Sequence, residues 1–251
     1  MSRITQRGAT SGQALIANGA FQTSTNAALA TLVGTRWDLS DGREIMLVKA
    51  ATGTTVAAGK LYQDAAIVAN HQNLAVTAYQ AFSANGNVPP KVTVTLGATA
   101  ATANQYAGGF VVVNDNNGEG HTLRIASHPA ADASGSLAVT LEEGSSVAIT
   151  TASEVCLIPP HGKDIIIAPT TITGAIAGVG LCTIAAESYG FVTTKGLTSC
   201  LADGAITAGA AISPSNAVAG AVEAGVIAQG LIGNANQAGV DTEYRSVFIN
   251  V

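Results

Sequence analysis

Charge is what this sequence has least of. Asp, Glu, Lys and Arg make up 11% of its 251 residues, against about 25% in ordinary soluble domains. Two readings of that shortage stand side by side. Much of the surface is covered by partners, or it is built from uncharged Thr, Asn, Gln and Ser. The balance is acidic, with 16 Asp and Glu against 11 Lys and Arg. No basic run or stripe occurs, so the electrostatic footprint of nucleic-acid binding is missing. Aromatic residues are 4%, scarce for a protein that would stack sugars on aromatic platforms. The three cysteines, Cys156, Cys182 and Cys200, are odd in number and far apart. That argues against a disulfide scaffold and a Cys-x-x-Cys metal pair, and each is expected to fill a small apolar strand position. No apolar segment of signal-peptide type is visible near residue 1.

Long hydrophobic runs are also missing, with one apparent exception. Residues 165–186 carry no charge and are long enough to cross a bilayer as a helix. Pro169, Gly174, Gly178 and Gly180 interrupt them. The stretch therefore reads as two buried strands around a Thr/Gly turn rather than as a membrane span.

What is present is Ala, Val, Ile, Leu and 28 glycines, arranged with a period of two. Residues 1–35 show no core-forming stripe and read as an extended arm, with a short helical turn near 26–33. From Trp37 the pattern sharpens. A Ser-Asp-Gly turn at 40–42 leads into a strand at 44–49, and a turn at 58–59 into another from Lys60. Residues 64–84 are ambiguous, since Asp64 could cap a helix that β-branched residues disfavour. "KVTVTL" (91–96), "HTLRIASH" (121–128) and "SLAVTLEE" (136–143) alternate, "GFVVVND" (109–115) is a continuous apolar run, and Asn117-Gly118 marks a hairpin. Further strands are expected at 179–186, 189–195, 197–202, 209–213, 220–223, 225–232 and 244–251. A short echo links "TTVAAGKLYQ" near Val56 to "GAITAGAAIS" near Ile206. Strands of five to eight residues recurring about every ten predict a sandwich or barrel. The expectation is an all-β fold of antiparallel β-barrel or β-sandwich modules with an extended N-terminal arm. Its parts are the arm 1–35, a β-rich domain 36–170 and a C-terminal β-barrel-like module 171–251.

No constellation carries obvious chemistry. "GTTVAAGKL" (53–61) imitates a phosphate loop, but five residues separate its glycines and Leu61 stands where the magnesium-holding hydroxyl belongs. "NDNNGEG" (114–120) offers Asp115, Asn117 and Glu119, without the alternating acids of a calcium loop. His71, His121, His128 and His161 lack metal spacing and read as surface or strand-end residues. Asp41, Asp115, Glu142, Glu143 and Asp203 sit beside glycine turns, with no acid pair set for glycoside cleavage. No catalytic residue, cofactor or metal ligand is expected, and the chain reads as a non-enzyme.

Several stretches together resemble a known family. "SDGREIMLVKAATGTTVAAGKLYQ", "VTVTLGATAATANQYAGGFVVVNDNNGEGHTLRIASHPAA" and "SEVCLIPP" resemble proteins encoded beside capsid genes in tailed bacteriophages. "YGFVTTKGLTSCLADGAITAGAAISPSNAVAGAVEA" and "GVIAQGLI" resemble the phage capsid cement, or head decoration, family. The likeness covers most of 36–251. It implies a β-barrel or β-tulip module on the outer surface of the virion capsid, a homotrimer that clamps neighbouring copies of the major capsid protein. It implies no nucleic-acid or membrane partner. On this reading Arg3 and Arg7 are the residues expected to meet an acidic capsid surface. Another virion component, such as a tail or fibre-base protein, and a carbohydrate-binding β-protein are the alternatives.

Overall fold

The computed structural model describes residues 4–5, 16–17, 20–21, 23–83 and 86–251. It is built almost wholly of β-strands, as the alternation requires, and it divides into two compact units. The first holds residues 1–66 and 161–251, and the second holds 67–160. These are not the segments 36–170 and 171–251 drawn from the sequence. The reason is long-range pairing. Strand β6 (Leu61–Gln63) pairs with β13 (Ile166–Ile167) and β14 (Ile176–Gly180), which ties both sides of the expected boundary into one sheet.

In the first unit eleven strands share that sheet. Its main row runs β1 (Ile4–Thr5), β4 (Arg36–Leu39), β5 (Glu44–Lys49), β15 (Tyr189–Leu201), β19 (Tyr244–Asn250), β18 (Gly233–Ala235), β16 (Ala211–Pro214) and β17 (Val222–Ala224). A parallel bridge from Ala202 to Val222 links the last strand to the residue after β15, so the row curls back toward its own middle. The run Ile45-Met46-Leu47-Val48 explains why β5 lies at the centre: an unbroken apolar strand is stable only when both faces are covered. Ile45 and Leu47 pack with Trp37 and Phe191 on one face, and Met46 and Val48 pack with Tyr62 and Val192 on the other. Strand β15 spans the two strands expected at 189–195 and 197–202. Gly196, at φ 96°, bends it without ending it, and there its partner changes from β5 to β19.

Part of the expected arm lies against this sheet. The backbones of Ser24 and Tyr189 exchange hydrogen bonds of 3.0 and 2.8 Å. The helical turn near 26–33 is a 3-10 helix, Ala27–Leu32, whose Asn26 side chain accepts from the Ala28 N–H at 3.0 Å. Leu29 is buried beside Trp37. Strands β2 (Ile16–Ala17) and β3 (Ala20–Phe21) form a separate two-stranded hairpin.

The second unit is a closed six-stranded barrel, entirely antiparallel. Its strands are β7 (Leu74–Gln80), β8 (Lys91–Thr95), β9 (Phe110–Asp115), β10 (Thr122–Ser127), β11 (Ser136–Leu141) and β12 (Glu154–Ile158). They close in the order β10-β11-β8-β7-β12-β9. Period-two alternation aims two or three apolar side chains per strand inward, Val92 and Val94, Leu137, Val139 and Leu141 among them. A barrel this small is filled by such side chains, each worth about 1.5–3 kcal/mol when fully buried. The run at 109–115 is less continuous than it reads, since Val111 and Val113 point in while Val112 is half-exposed.

One local device recurs through both units. A residue making an isolated antiparallel bridge is followed, three positions on, by a residue at positive φ. It occurs at Val56/Gly59, Ala101/Asn104, Ala131/Ser134, Ile184/Glu187, Ile206/Gly209 and Gly239/Thr242. Five copies run straight into a strand, and antiparallel bridges join the copies in pairs: Val56 with Ile184, Ala101 with Ala131, and Ile206 with Gly239. The echo between Val56 and Ile206 is two of these six. Thr242 is the least comfortable occupant, a β-branched residue at φ 65°. Left-handed backbone costs a non-glycine residue about 1–2 kcal/mol, and glycine loses about 0.5–1 kcal/mol to its greater unfolded freedom. Thr242→Gly is therefore expected to raise Tm, by about 0.5 kcal/mol of stability. An unchanged or lowered Tm in a thermal melt would refute the strain.

Candidate interaction surfaces

The residues with chemical potential are tied into structure. Asp64 caps no helix; its Oδ2 lies 2.7 Å from His161 Nδ1 and its Oδ1 accepts from the Gly162 N–H at 2.9 Å. This His–Asp pair is two-thirds of a hydrolase triad, but no hydroxyl or thiol is hydrogen-bonded to His161 among the described residues. Beside it Lys49 pairs with Asp164 at 2.8 Å, and burial pushes the Lys163 ammonium below its usual range. Arg124 gathers both members of the acid pair in the second unit: Glu142 lies 3.3 Å from its Nε, and Glu143 accepts from its backbone N–H. Asp115 accepts from the Asn116 N–H within its turn at 2.8 Å. In the phosphate-loop imitation a strand follows Lys60 where a helix would be needed. Among the described residues no group of three or more His, Cys, Asp or Glu could hold a metal ion.

Two histidines are not on the surface, although His128 does stand at a strand end, directly after β10. His71 and His128 are buried inside the second unit, because each has a partner for both ring nitrogens. The Tyr106 N–H donates to His128 Nε2 at 2.9 Å, and His128 Nδ1 donates to the Pro129 carbonyl at 2.8 Å. His71 Nε2 donates to the Thr99 carbonyl at 2.9 Å, which leaves Nδ1 to accept from the Tyr106 hydroxyl. Burial pushes that hydroxyl up to about 12, so it remains a donor. This chain of bonds pins the loop between β8 and β9 over the barrel, and its polar residues gave no hydrophobic signal.

All three cysteines are free. Cys156 and Cys200 occupy strands, while Cys182 lies just beyond β14. Cys200 is completely buried, which pushes its thiol up to about 12. The uncharged stretch 165–186 forms two strands, β13 and β14, with 168–175 between them. No described helix is long and apolar enough to cross a membrane. Arg3 and Arg7 lie outside the described residues.

What the site residues lack in chemistry the surface has in exposed apolar groups. On the second unit Phe82, Val88 and Val147 stand exposed at one end of the barrel, where the β7–β8 and β11–β12 loops meet. Phe82 lies over Gly144, and the Tyr79 hydroxyl accepts from the Ser145 N–H at 2.9 Å.

On the first unit the register builds a row across the outer face of the sheet. Leu197 on β15 stands opposite Phe248 on β19, Phe248 opposite Asn234 on β18, and Asn234 opposite Ala211 on β16. Leu231 continues the row over Gly225, whose N–H donates to the Ala211 carbonyl. Leu197 is 43% exposed, Phe248 49%, Leu231 54% and the adjoining Ile227 87%. Their neighbours along β15 and β19, Cys200, Val247 and Ile249, are buried in the opposite face. Period two therefore sets Leu197 and Phe248 outward, and the sequence could have shown it. Beside the row lies an open groove of about 520 Å³, lined by Asp41, Arg43, Ser199, Gln237, Tyr244 and Ser246 among others. Its charges are spent on each other, since the Arg43 guanidinium grips Asp41 at 2.7 and 2.9 Å and holds its carboxyl below the usual range.

Compared with known proteins, the chain matches no family model, no curated protein and no solved structure.

Proposed function

We propose that this chain is a structural virion protein, a capsid cement protein that sits on the outside of a phage head and ties major capsid subunits together. One observation carries the proposal: each compact unit has its own exposed apolar surface, Phe82, Val88 and Val147 on the barrel and the Leu197–Phe248 row on the sheet. A protein that joins others needs at least two contact faces, whereas an enzyme or a simple binding module needs one. Exposed apolar side chains clustered in this way mark interaction sites. Contacts of modest size suffice, because linked binding events reinforce each other by about 10²–10⁴ in apparent affinity. A protein that binds only the intact shell stabilises it by mass action. Capsids that lack the protein are expected to assemble but to release their genome at a lower temperature than capsids that carry it. Heating the two in parallel and following DNA release decides the matter. Equal release temperatures would sink the cement reading and favour a tail or fibre-base role.

A further inference from the structure

We infer that Ser146 and His121 form a nucleophilic dyad on the barrel, and that Ser146 accepts acyl groups from uncharged esters. The inference stands apart from the cement reading, which uses neither residue. Its ground is the bonding of the His121 ring. The Gly118 carbonyl lies 2.9 Å from Nδ1. A carbonyl only accepts, so Nδ1 carries the proton and Nε2 is left with a lone pair. The Ser146 hydroxyl stands 3.1 Å from Nε2 and therefore donates to it. Nucleophile, base and a third group that orients the base are joined in one chain, which is the arrangement that activates a serine.

Both partners are held by the barrel. His121 follows the hairpin turn between β9 and β10, and its backbone N–H also donates to the Gly118 carbonyl, at 3.1 Å. Ser146 lies in the β11–β12 loop between two fixed neighbours. The Ser145 N–H donates to the Tyr79 hydroxyl at 2.9 Å, and the Val147 N–H donates to Ser145 Oγ at 3.2 Å. Hairpin and loop touch at Gly118, where a Cβ would stand 3.3 Å from the buried Ile149 side chain. Ser146 itself is exposed, so a substrate can reach it. Its N–H makes no hydrogen bond among the described residues, which leaves a donor beside the nucleophile for a developing oxyanion. Exposed Phe82 and Val147 offer an acyl group apolar contact, while Glu119, Glu142 and Glu143 on the same loops disfavour an anionic ester.

Ser146 Oγ attacks the ester carbonyl carbon, and its proton passes to His121 Nε2. The bond from that carbon to the leaving alcohol breaks, and the alcohol oxygen takes the proton from Nε2. Water then attacks the acyl-serine and gives a proton to Nε2. The carboxylic acid leaves as Ser146 Oγ recovers that proton. The Gly118 carbonyl fixes the tautomer as a carboxylate would, but it carries no full charge to stabilise the imidazolium. Turnover is therefore expected to be slow, with acyl-serine accumulating.

The test is p-nitrophenyl acetate added to the full chain, read by mass spectrometry of its peptides. An acetyl group is expected on Ser146. Because lysines also acetylate, a dialkyl fluorophosphate serves as a second probe, one that selects activated serines, and it is expected on the same residue. Ser146→Ala is expected to lose both adducts at this position. His121→Gln is expected to slow labelling of Ser146 by about 10²–10⁴-fold, with the circular dichroism of the fold unchanged. In His121→Ala, added imidazole is expected to restore labelling, which separates a lost base from a disturbed loop. No adduct on Ser146 with either reagent, labelling at the wild-type rate in His121→Gln, or no rescue by imidazole would overturn the inference.

Discussion

Gly109→Ala is expected to open the barrel while the first unit keeps its own unfolding transition. A Cβ built on Gly109 would stand 2.1 Å from the Ile158 carbonyl oxygen and 2.9 Å from Pro159 C and Pro160 N. All three are backbone atoms, so no side-chain rotation relieves the clash. Strand β12 must move away from β9. That is a seam of the barrel, where residues 154–158 of β12 pair with 110–115 of β9. Each ladder bond lost costs about 1 kcal/mol, and opening the seam also wets the core around Val111, Val155 and Leu157. The total is expected to exceed about 4 kcal/mol, a range reached only by mechanisms of this kind. Urea denaturation followed by circular dichroism reports both units, and Trp37 fluorescence reports the first alone. The variant is expected to lose part of its β signal at low urea while the Trp37 midpoint stays put. An unchanged dichroism curve would refute the geometry.

The complementary change is Phe191→Ala. Phe191 is buried near the start of β15, edge-on to Trp37 with centroids 5.5 Å apart and 6.0 Å from the Phe21 ring. Removing it leaves a void between β15 and the segment that carries Leu29. Truncations of buried Phe cost about 3–5 kcal/mol, and here the void adjoins the tryptophan. The Trp37 midpoint is expected to fall by that amount and its emission to change, with the barrel's share of the dichroism unaffected. A loss under about 1 kcal/mol would mean that the ring cluster contributes little.

The sequence made the strands legible where one face of each is wet. "KVTVTL" and "SLAVTL" alternate because their barrel has an inside and an outside, and the glycines at 59 and 209 announce the turns before β6 and β16. It hid four of the six recurring turns, since Asn104, Ser134, Glu187 and Thr242 hold the left-handed position without a glycine to mark it. It split β15 at Gly196, where a strand can bend as well as stop. The two-unit division was not legible at all. The pairing of residues 61–63 with 166–180 joins segments a hundred residues apart, and no local pattern records that. Of the surfaces, the chargeless run 224–240 was visible as composition. Its part 225–232 reads as a strand, whereas the 3-10 turn that lifts Ile227 into solvent depends on tertiary contacts such as the 3.0 Å bond from the Val226 N–H to Ser213.

The Asp64 contacts have a consequence for how such a chain can change. Asp64 stands just before the barrel segment, and His161 and Gly162 stand just after it. One carboxylate thus buckles the two ends of a 94-residue excursion, 67–160, onto the sheet that resumes at Ile166. Closing a loop costs little more when the loop is long than when it is short, so a fixed buckle tolerates very different contents. In sequence the barrel is an insertion into the chain of the first unit. A short Gly/Ser tether in place of 67–160 would leave every strand pair of the first unit available, and another small domain with adjacent termini could be grafted at the same point. Through such exchange a scaffold of this kind could acquire a new module without redesigning the sheet whose chain carries it.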